Sequence, residues 1–219
     1  MATERFANRV DAGRRLARCL DGYAGRSDVM VLGLPRGGVP VAAEVARHLP
    51  APLDVFLVRK LGVPGHPELA MGAIAEGGVQ VLDERLIEGL AIPRRLVGQV
   101  ALRERLELDR RDRQYRFARE RPDVANRTVI VVDDGLATGA TMKAAILALR
   151  QLGPAAVVVA APVGAPETCQ RLRQFADRVL CVETPRDLGA VGRWYDDFTQ
   201  TTDEEVRRLI DAAGVPRRV

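Results

Sequence analysis

Four consecutive β-branched aliphatic residues run into a pair of aspartates at 128–134, TVIVVDD. A strand with no apolar/polar alternation is buried on both faces, which calls for a parallel sheet covered by helices. Similar runs stand at 29–35 (VMVLGLP), 53–59 (LDVFLVR), 155–163 (AAVVVAAPV) and 178–183 (RVLCVE). Helical stretches are expected at 38–49, 139–152 and 165–176. The alternation predicts an α/β fold with a mostly parallel, twisted sheet flanked by helices. A length of 219 residues suits one domain, 1–219, with its core at about 28–183.

Two segments break the pattern. Residues 61–82 are rich in Gly and Pro and poor in periodicity, with a β-hairpin expected around Gly77 and Gly78. Residues 94–121 predict a long charged helix stopped by Pro122. Its acids, Glu104, Glu107, Asp109 and Asp112, interrupt any one-sided basic stripe, so it reads as a solvated helix and argues against a nucleic-acid-binding arm.

An apolar fraction of 47% excludes wholesale disorder. No apolar run approaches the ~18 residues of a membrane span. The first residues show no secretory signal pattern, so a cytoplasmic location and no membrane partner are expected. Cys19, Cys169 and Cys181 lack CxxC spacing and are expected to be buried free thiols. Of 33 basic residues only Lys60 and Lys143 are lysine, which singles out each compact point charge.

Open parallel sheets bind ligands beyond the carboxyl ends of their strands. After the 128–134 strand, Asp133 and Asp134 precede Gly135, Leu136, Ala137, Thr138, Gly139, Ala140 and Thr141 at a helix start. Inward backbone amides, threonine hydroxyls and a helix N-terminus make a socket for a phosphate dianion. Adjacent carboxylates suit the vicinal hydroxyls of a sugar. A phosphate socket beside a diol reader describes a ribose 5-phosphate site.

The stretch VIVVDDGLATGAT resembles the signature of type I phosphoribosyltransferases, which bind phosphoribosyl pyrophosphate (PRPP). The likeness extends from about residue 28 to 200. PRGG (35–38), RKLGVPGHPELAMGAI (59–74) and WYDDF (194–198) resemble a bacterial group of predicted phosphoribosyltransferases. The resemblance implies the type I fold, with a flexible loop at about 61–82 and a small C-terminal hood at 184–200. It makes Arg36, Gly37 and Gly38 a pyrophosphate loop with a cis peptide expected at Pro35–Arg36, and it sets Lys60 at the edge of the second strand against pyrophosphate. It also implies that residues from Leu61 to Ala75 close over the site, with His66 and Glu68 near ligand. Trp194 or Tyr195 either stacks on the acceptor or anchors the hood. Asp133 and Asp134 are expected to reach Mg²⁺ indirectly, and Asp196 or Asp197 through water. Lys143 and His48 are expected on the surface and in a structural place.

The implied reaction is Mg²⁺-dependent transfer of the 5-phosphoribosyl group from PRPP to a heterocyclic nitrogen acceptor, with release of pyrophosphate. Lys60, Arg36, Asp133 and Asp134 are the implied catalytic residues, and a homodimer the implied assembly. Hypoxanthine-guanine members carry an acid where this chain has Ala137, which disfavours a 6-oxopurine acceptor served by that base. Adenine-type members share the alanine. The alternatives are a non-catalytic PRPP or nucleotide sensor, or a phosphohydrolase or phosphorylase acting on ribose phosphates.

Overall fold

The computed structural model describes residues 4–116 and 120–213, apart from the side chains of Pro67 and Glu68. Helix α1 (Arg9–Arg18) starts under Asn8, whose side chain accepts from the amides of Val10 and Asp11. Strand β1 (Val29–Gly33), helix α2 (Gly38–His48) and strand β2 (Leu53–Val55) follow. Next come β3 (Val58–Val63), β4 (His66–Ala75) and β5 (Gln80–Leu82), then α3 (Glu84–Gly89) and α4 (Arg94–Arg116). The parallel layer resumes with β6 (Thr128–Val132), α5 (Ala140–Gln151), β7 (Ala156–Val163), α6 (Pro166–Leu172) and β8 (Arg178–Glu183). Helix α7 (Asp203–Ala212) is the last described helix.

The main sheet has five parallel strands in the order β2-β1-β6-β7-β8. Every residue of β1 and β6 is buried, as the unalternated apolar runs require. Clusters on the two faces pack it: Met142, Ile146 and Leu149 of α5 on one side, Leu16 of α1 with Val41 and Val45 of α2 on the other. The strand order reverses between β1 and β6. That switch point opens a crevice at their carboxyl ends, between the 34–38 and 133–139 turns.

Strands β3, β4 and β5 form a separate antiparallel sheet. The run LDVFLVR is therefore two strands, because the chain changes sheets at Phe56 and Leu57. Lys60 consequently does not end a strand of the parallel sheet; it lies within β3, opposite Ala73. The 61–82 segment is mostly strand, and its turn at Glu76–Gly78 matches the expected hairpin. Helix α4 is only partly solvated. Val97, Ala101 and Leu108 pack with Leu61, Val63 and Met71 of the hairpin sheet and with Val206 and Ile210 of α7.

A buried arginine fastens the two sheets together. Arg116 of α4, 3% exposed, meets Glu76 in a fork, Nη1 to Oε2 at 2.6 Å and Nη2 to Oε1 at 2.9 Å. It also donates to the Val55 carbonyl at 2.6 Å and to Asp112 and Asp54 at 2.6 and 3.3 Å. Burial pushes the Glu76 carboxyl above its ordinary range, against the opposing pull of Arg116. The bond network thus joins the end of β2, the β4–β5 turn and α4.

All three cysteines are free, but only Cys169 is buried as expected; Cys181 is half-buried and Cys19 exposed. Cys169 and Cys181 lie Sγ to Sγ at 3.4 Å. His48 meets Asp21 at 2.6 Å, a structural pairing, and Lys143 sits on the surface, 4.8 Å from the Phe175 ring centroid. None of the described helices is long and apolar enough to cross a membrane.

Candidate active site

The 34–38 turn prolongs β1: the Leu34 amide donates to the Val132 carbonyl at 2.9 Å. The Pro35–Arg36 peptide is cis, as the resemblance implied. Gly37 and Gly38 are glycine because there is no room for more. A Cβ on Gly38 would stand 2.5 Å from the Val132 carbonyl oxygen, and one on Gly37 would stand 1.9 Å from Asp134 Oδ2. The two turns are therefore in direct contact across the crevice.

The 133–139 turn is shaped by bonds on its outer side. The Tyr195 hydroxyl donates to the Asp134 carbonyl at 2.6 Å, and the Thr168 hydroxyl donates to the Ala137 carbonyl at 2.6 Å. A trans peptide sends each following amide the opposite way, so the amides of Gly135 and Thr138 face away from those donors. Among the described residues no acceptor meets the amides of Ala137, Thr138 or Gly139. Gly139 caps α5 at φ +71°, a left-handed geometry that favours glycine. Unpaired amides at a helix start are the physical content of an anion socket.

Asp133 and Asp134 follow β6 directly. The Asp134 amide donates to Asp133 Oδ1 at 2.9 Å, and Arg9 Nε donates to Asp134 Oδ2 at 2.9 Å. Burial first, then the charge of Asp134, pushes the Asp133 carboxyl well above the usual carboxylate range. Burial raises Asp134 too, while Arg9 pulls the other way.

Arg36 is half-buried, and its charge reaches Tyr115 of α4 and Asp203 of α7. Tyr115 of α4 donates to Asp203 of α7 at 2.6 Å, as does Gln114 at 2.8 Å. Asp203 is held below the carboxylate range first by the Tyr115 hydroxyl, with Gln114, Arg36 and Arg111 adding to it. A small cleft of about 20 Å³, room for a single water, lies beside this loop, lined by Pro35, Phe56, Arg59, Leu108, Arg111 and Thr141 among others. It connects both ligand turns with the hairpin sheet and α4.

Residues 3–195 match the family model for the phosphoribosyl transferase domain. The chain belongs to that family. It is 48% identical over 208 residues to a Mycobacterium tuberculosis protein (strain H37Rv) named "Putative phosphoribosyl transferase Rv0571c", covering 95% of this chain and 47% of that protein. The chain thus spans about half the length of the curated relatives it matches. The crystal structure of TT1426 from Thermus thermophilus superposes with a TM-score of 0.87 at 45% identity, over 94% of this chain and 97% of that one. AQ2163 from Aquifex aeolicus, at 13% identity and a TM-score of 0.50 over 95% and 87% of the two chains, shares the fold.

Within this family architecture, Gly37, Gly38, Asp133, Asp134 and the 135–141 turn meet at the crevice, whereas the charge of Arg36 is felt at Tyr115 and Asp203. Arg59 and Lys60 part company. Arg59 donates to Glu104 of α4 at 2.9 Å, and side chains alternate along a strand, which turns Lys60 to the face where Val58 packs toward α5. Tyr195 is 4% exposed, with Phe6 and Phe198 ring centroids at 5.4 and 4.9 Å, so its ring anchors the hood segment. Trp194 is half-buried and its indole N–H donates to the Leu188 carbonyl at 3.0 Å. His66 opens β4 on the exposed hairpin, and the Glu68 side chain lies outside the described residues. Asp197 caps Thr199 at 2.9 Å, and Asp196 is exposed. Arg9 was not visible in the sequence, because its partner is 125 positions away.

Proposed function

We propose that the chain transfers the 5-phosphoribosyl group of PRPP to a heterocyclic nitrogen acceptor and releases pyrophosphate. One observation carries this reading: a carboxylate pair and a run of unpaired amides face a two-glycine turn across the switch point. The amides of 137–139 take the 5-phosphate, and the acid pair takes the ribose diol. Arg36 neutralises the leaving pyrophosphate, joined by Lys60. As the C1–oxygen bond breaks, the electron pair leaves with pyrophosphate, positive charge builds on the sugar, and the acceptor nitrogen bonds to C1 and gives up its proton to water. The chain acts by positioning these groups and by neutralising charge.

No three described His, Cys, Asp or Glu side chains stand together as a metal cage. A Mg²⁺ ion keeps several waters and binds through one or two carboxylates plus substrate oxygens, so Asp133 and Asp134 fit a substrate-borne ion reached through diol and water. When bound, it would offset charge on the pyrophosphate. Ala137 is exposed at the turn and carries no carboxylate to take the acceptor's proton. In this reading acceptor recognition falls to Trp194. The proposed assembly is a homodimer, which sedimentation measures directly. A screen of heterocyclic acceptors with PRPP and Mg²⁺, read as pyrophosphate release, tests the reaction. Release with at least one acceptor supports it; no release, with no ribose 5-phosphate bound, overturns it.

A further inference from the structure

Asp134 is gripped from outside the two ligand turns. Arg9, the first residue of α1, places Nε 2.9 Å from Asp134 Oδ2, and its Nη1 donates to the Thr199 carbonyl at 2.7 Å. Its guanidinium carbon lies 4.0 Å from the Phe198 ring centroid. The arginine side chain is 12% exposed and the aspartate 17%, so the pair is shielded from solvent screening. The Asn8 cap fixes the first turn of α1. The Phe6 amide donates to the Trp194 carbonyl at 2.9 Å, and the Asp196 amide to the Phe6 carbonyl at 2.9 Å. The segment before α1 and the hood thus zip together and carry Arg9 to the acid pair.

The contact continues into the pyrophosphate loop. A Cβ on Gly37 would meet Asp134 Oδ2 at 1.9 Å and Arg9 Nε at 3.3 Å, so the three residues converge on one point. With Oδ2 held there, Oδ1 is the Asp134 oxygen that no side chain among the described residues donates to. Two adjacent carboxylates with no cation would also repel a ligand bearing phosphates; one guanidinium at contact distance cancels half of that charge.

We infer that Arg9 is a positioning residue of the ligand site: it holds Asp134 Oδ2 against Gly37, presents Oδ1 to the ligand's diol, and lets a polyanion approach the acid pair. The inference rests on the phosphoribosyl reading for the identity of the ligand, but the placement of Asp134 by Arg9 does not.

The test is a double-mutant cycle on the whole chain, with ribose 5-phosphate binding read by calorimetry. Arg9→Ala lowers affinity roughly tenfold, the scale of one lost charge-assisted hydrogen bond, and Arg9→Lys restores part of it. In an Asp134→Asn background, Arg9→Ala changes affinity less than about twofold, because the group it acts through is already gone. A merely structural arginine gives an equal loss in both backgrounds, or a lower melting temperature with unchanged affinity, and either overturns the inference. If Arg9→Ala does not fold, Arg9→Gln takes its place in the cycle. Should the wild-type chain bind no ribose 5-phosphate, the phosphoribosyl reading fails, and a crystal structure of the Arg9 variant decides the rest. Asp134 leaving its place over Gly37 supports the positioning role; Asp134 unmoved overturns it.

Discussion

Asp134 Oδ2 occupies the space beside Gly37 that a Cβ would fill, at 1.9 Å. The loop after β1 and the turn after β6 are thereby seated on one another. Gly37→Ala cannot be accommodated without displacing Asp134 from Arg9 or opening the crevice. Overpacking of this kind costs typically about 1–3 kcal/mol. We expect lower stability in urea together with a loss of ribose 5-phosphate affinity of at least about tenfold. Wild-type affinity in this variant would show that the contact has no bearing on the site.

Asp133 is expected to lower the stability of the ligand-free chain at neutral pH. Burial and the charge of Asp134 raise its folded pKa above the unfolded value of about 3.9. Between those two values the native state holds a proton that the unfolded state has lost, so stability falls as pH rises through that window. Asp133→Asn removes the effect while keeping the shape. Its melting temperature should exceed that of the wild type at pH 7, by ~2–4 °C for each kcal/mol recovered in a chain of this size. The difference should vanish by about pH 3, a unit below the unfolded value, where both states of the wild type are protonated. Differential scanning calorimetry at the two pH values checks this, and ligand affinity should fall in the same variant.

Arg116 offsets acids that are buried around it. Removing it as Arg116→Met leaves Glu76 and Asp54, both 4% exposed, without their shared guanidinium. Breaking a buried pair from one side costs roughly 3–5 kcal/mol. Urea unfolding should show that loss, and hydrogen exchange should speed up first at the 55–57 crossover and the 76–78 turn, which the arginine holds together. Unchanged exchange there would mean that the hairpin sheet is held by its apolar contacts alone.

Lys60 stands on the face of β3 opposite Arg59. A compact ammonium near the leaving pyrophosphate interacts more strongly as negative charge grows in the transition state. Lys60→Ala should lower pyrophosphate release by ~10²-fold, with ribose 5-phosphate binding little changed. Loss of ribose 5-phosphate binding with release intact would place the lysine at the phosphate end.

The parts of the fold legible in the sequence were those written in consecutive residues. The strand, acid pair and small-residue turn at 128–141 form one local unit, and β8 spans the residues its apolar run marks. LDVFLVR misled because an apolar run records burial, not which sheet supplies it; Val55 and Leu57 are both buried, but only Val55 belongs to the parallel sheet. Helix α4 read as solvated because its charges dominate the pattern, yet Glu104 and Arg116 are buried through partners on β3 and in the β4–β5 turn. Tyr195 had two readings, and only packing with Phe6 from the other end of the chain resolves its ring as an anchor. Arg9 had no local signature at all, since a lone arginine at a helix start is ordinary until the fold sets it beside Asp134.

In the proposed function the acid pair and the amide run after β6 bind a ribose phosphate. Calorimetric titration of ribose 5-phosphate into the wild type and into Asp133→Asn/Asp134→Asn tests it most directly. Saturable binding to the wild type is expected, with a loss of about a hundredfold or more in the double variant, as two charge-assisted hydrogen bonds to the diol lose their ionised acceptors. Equal affinity in the two proteins would contradict it.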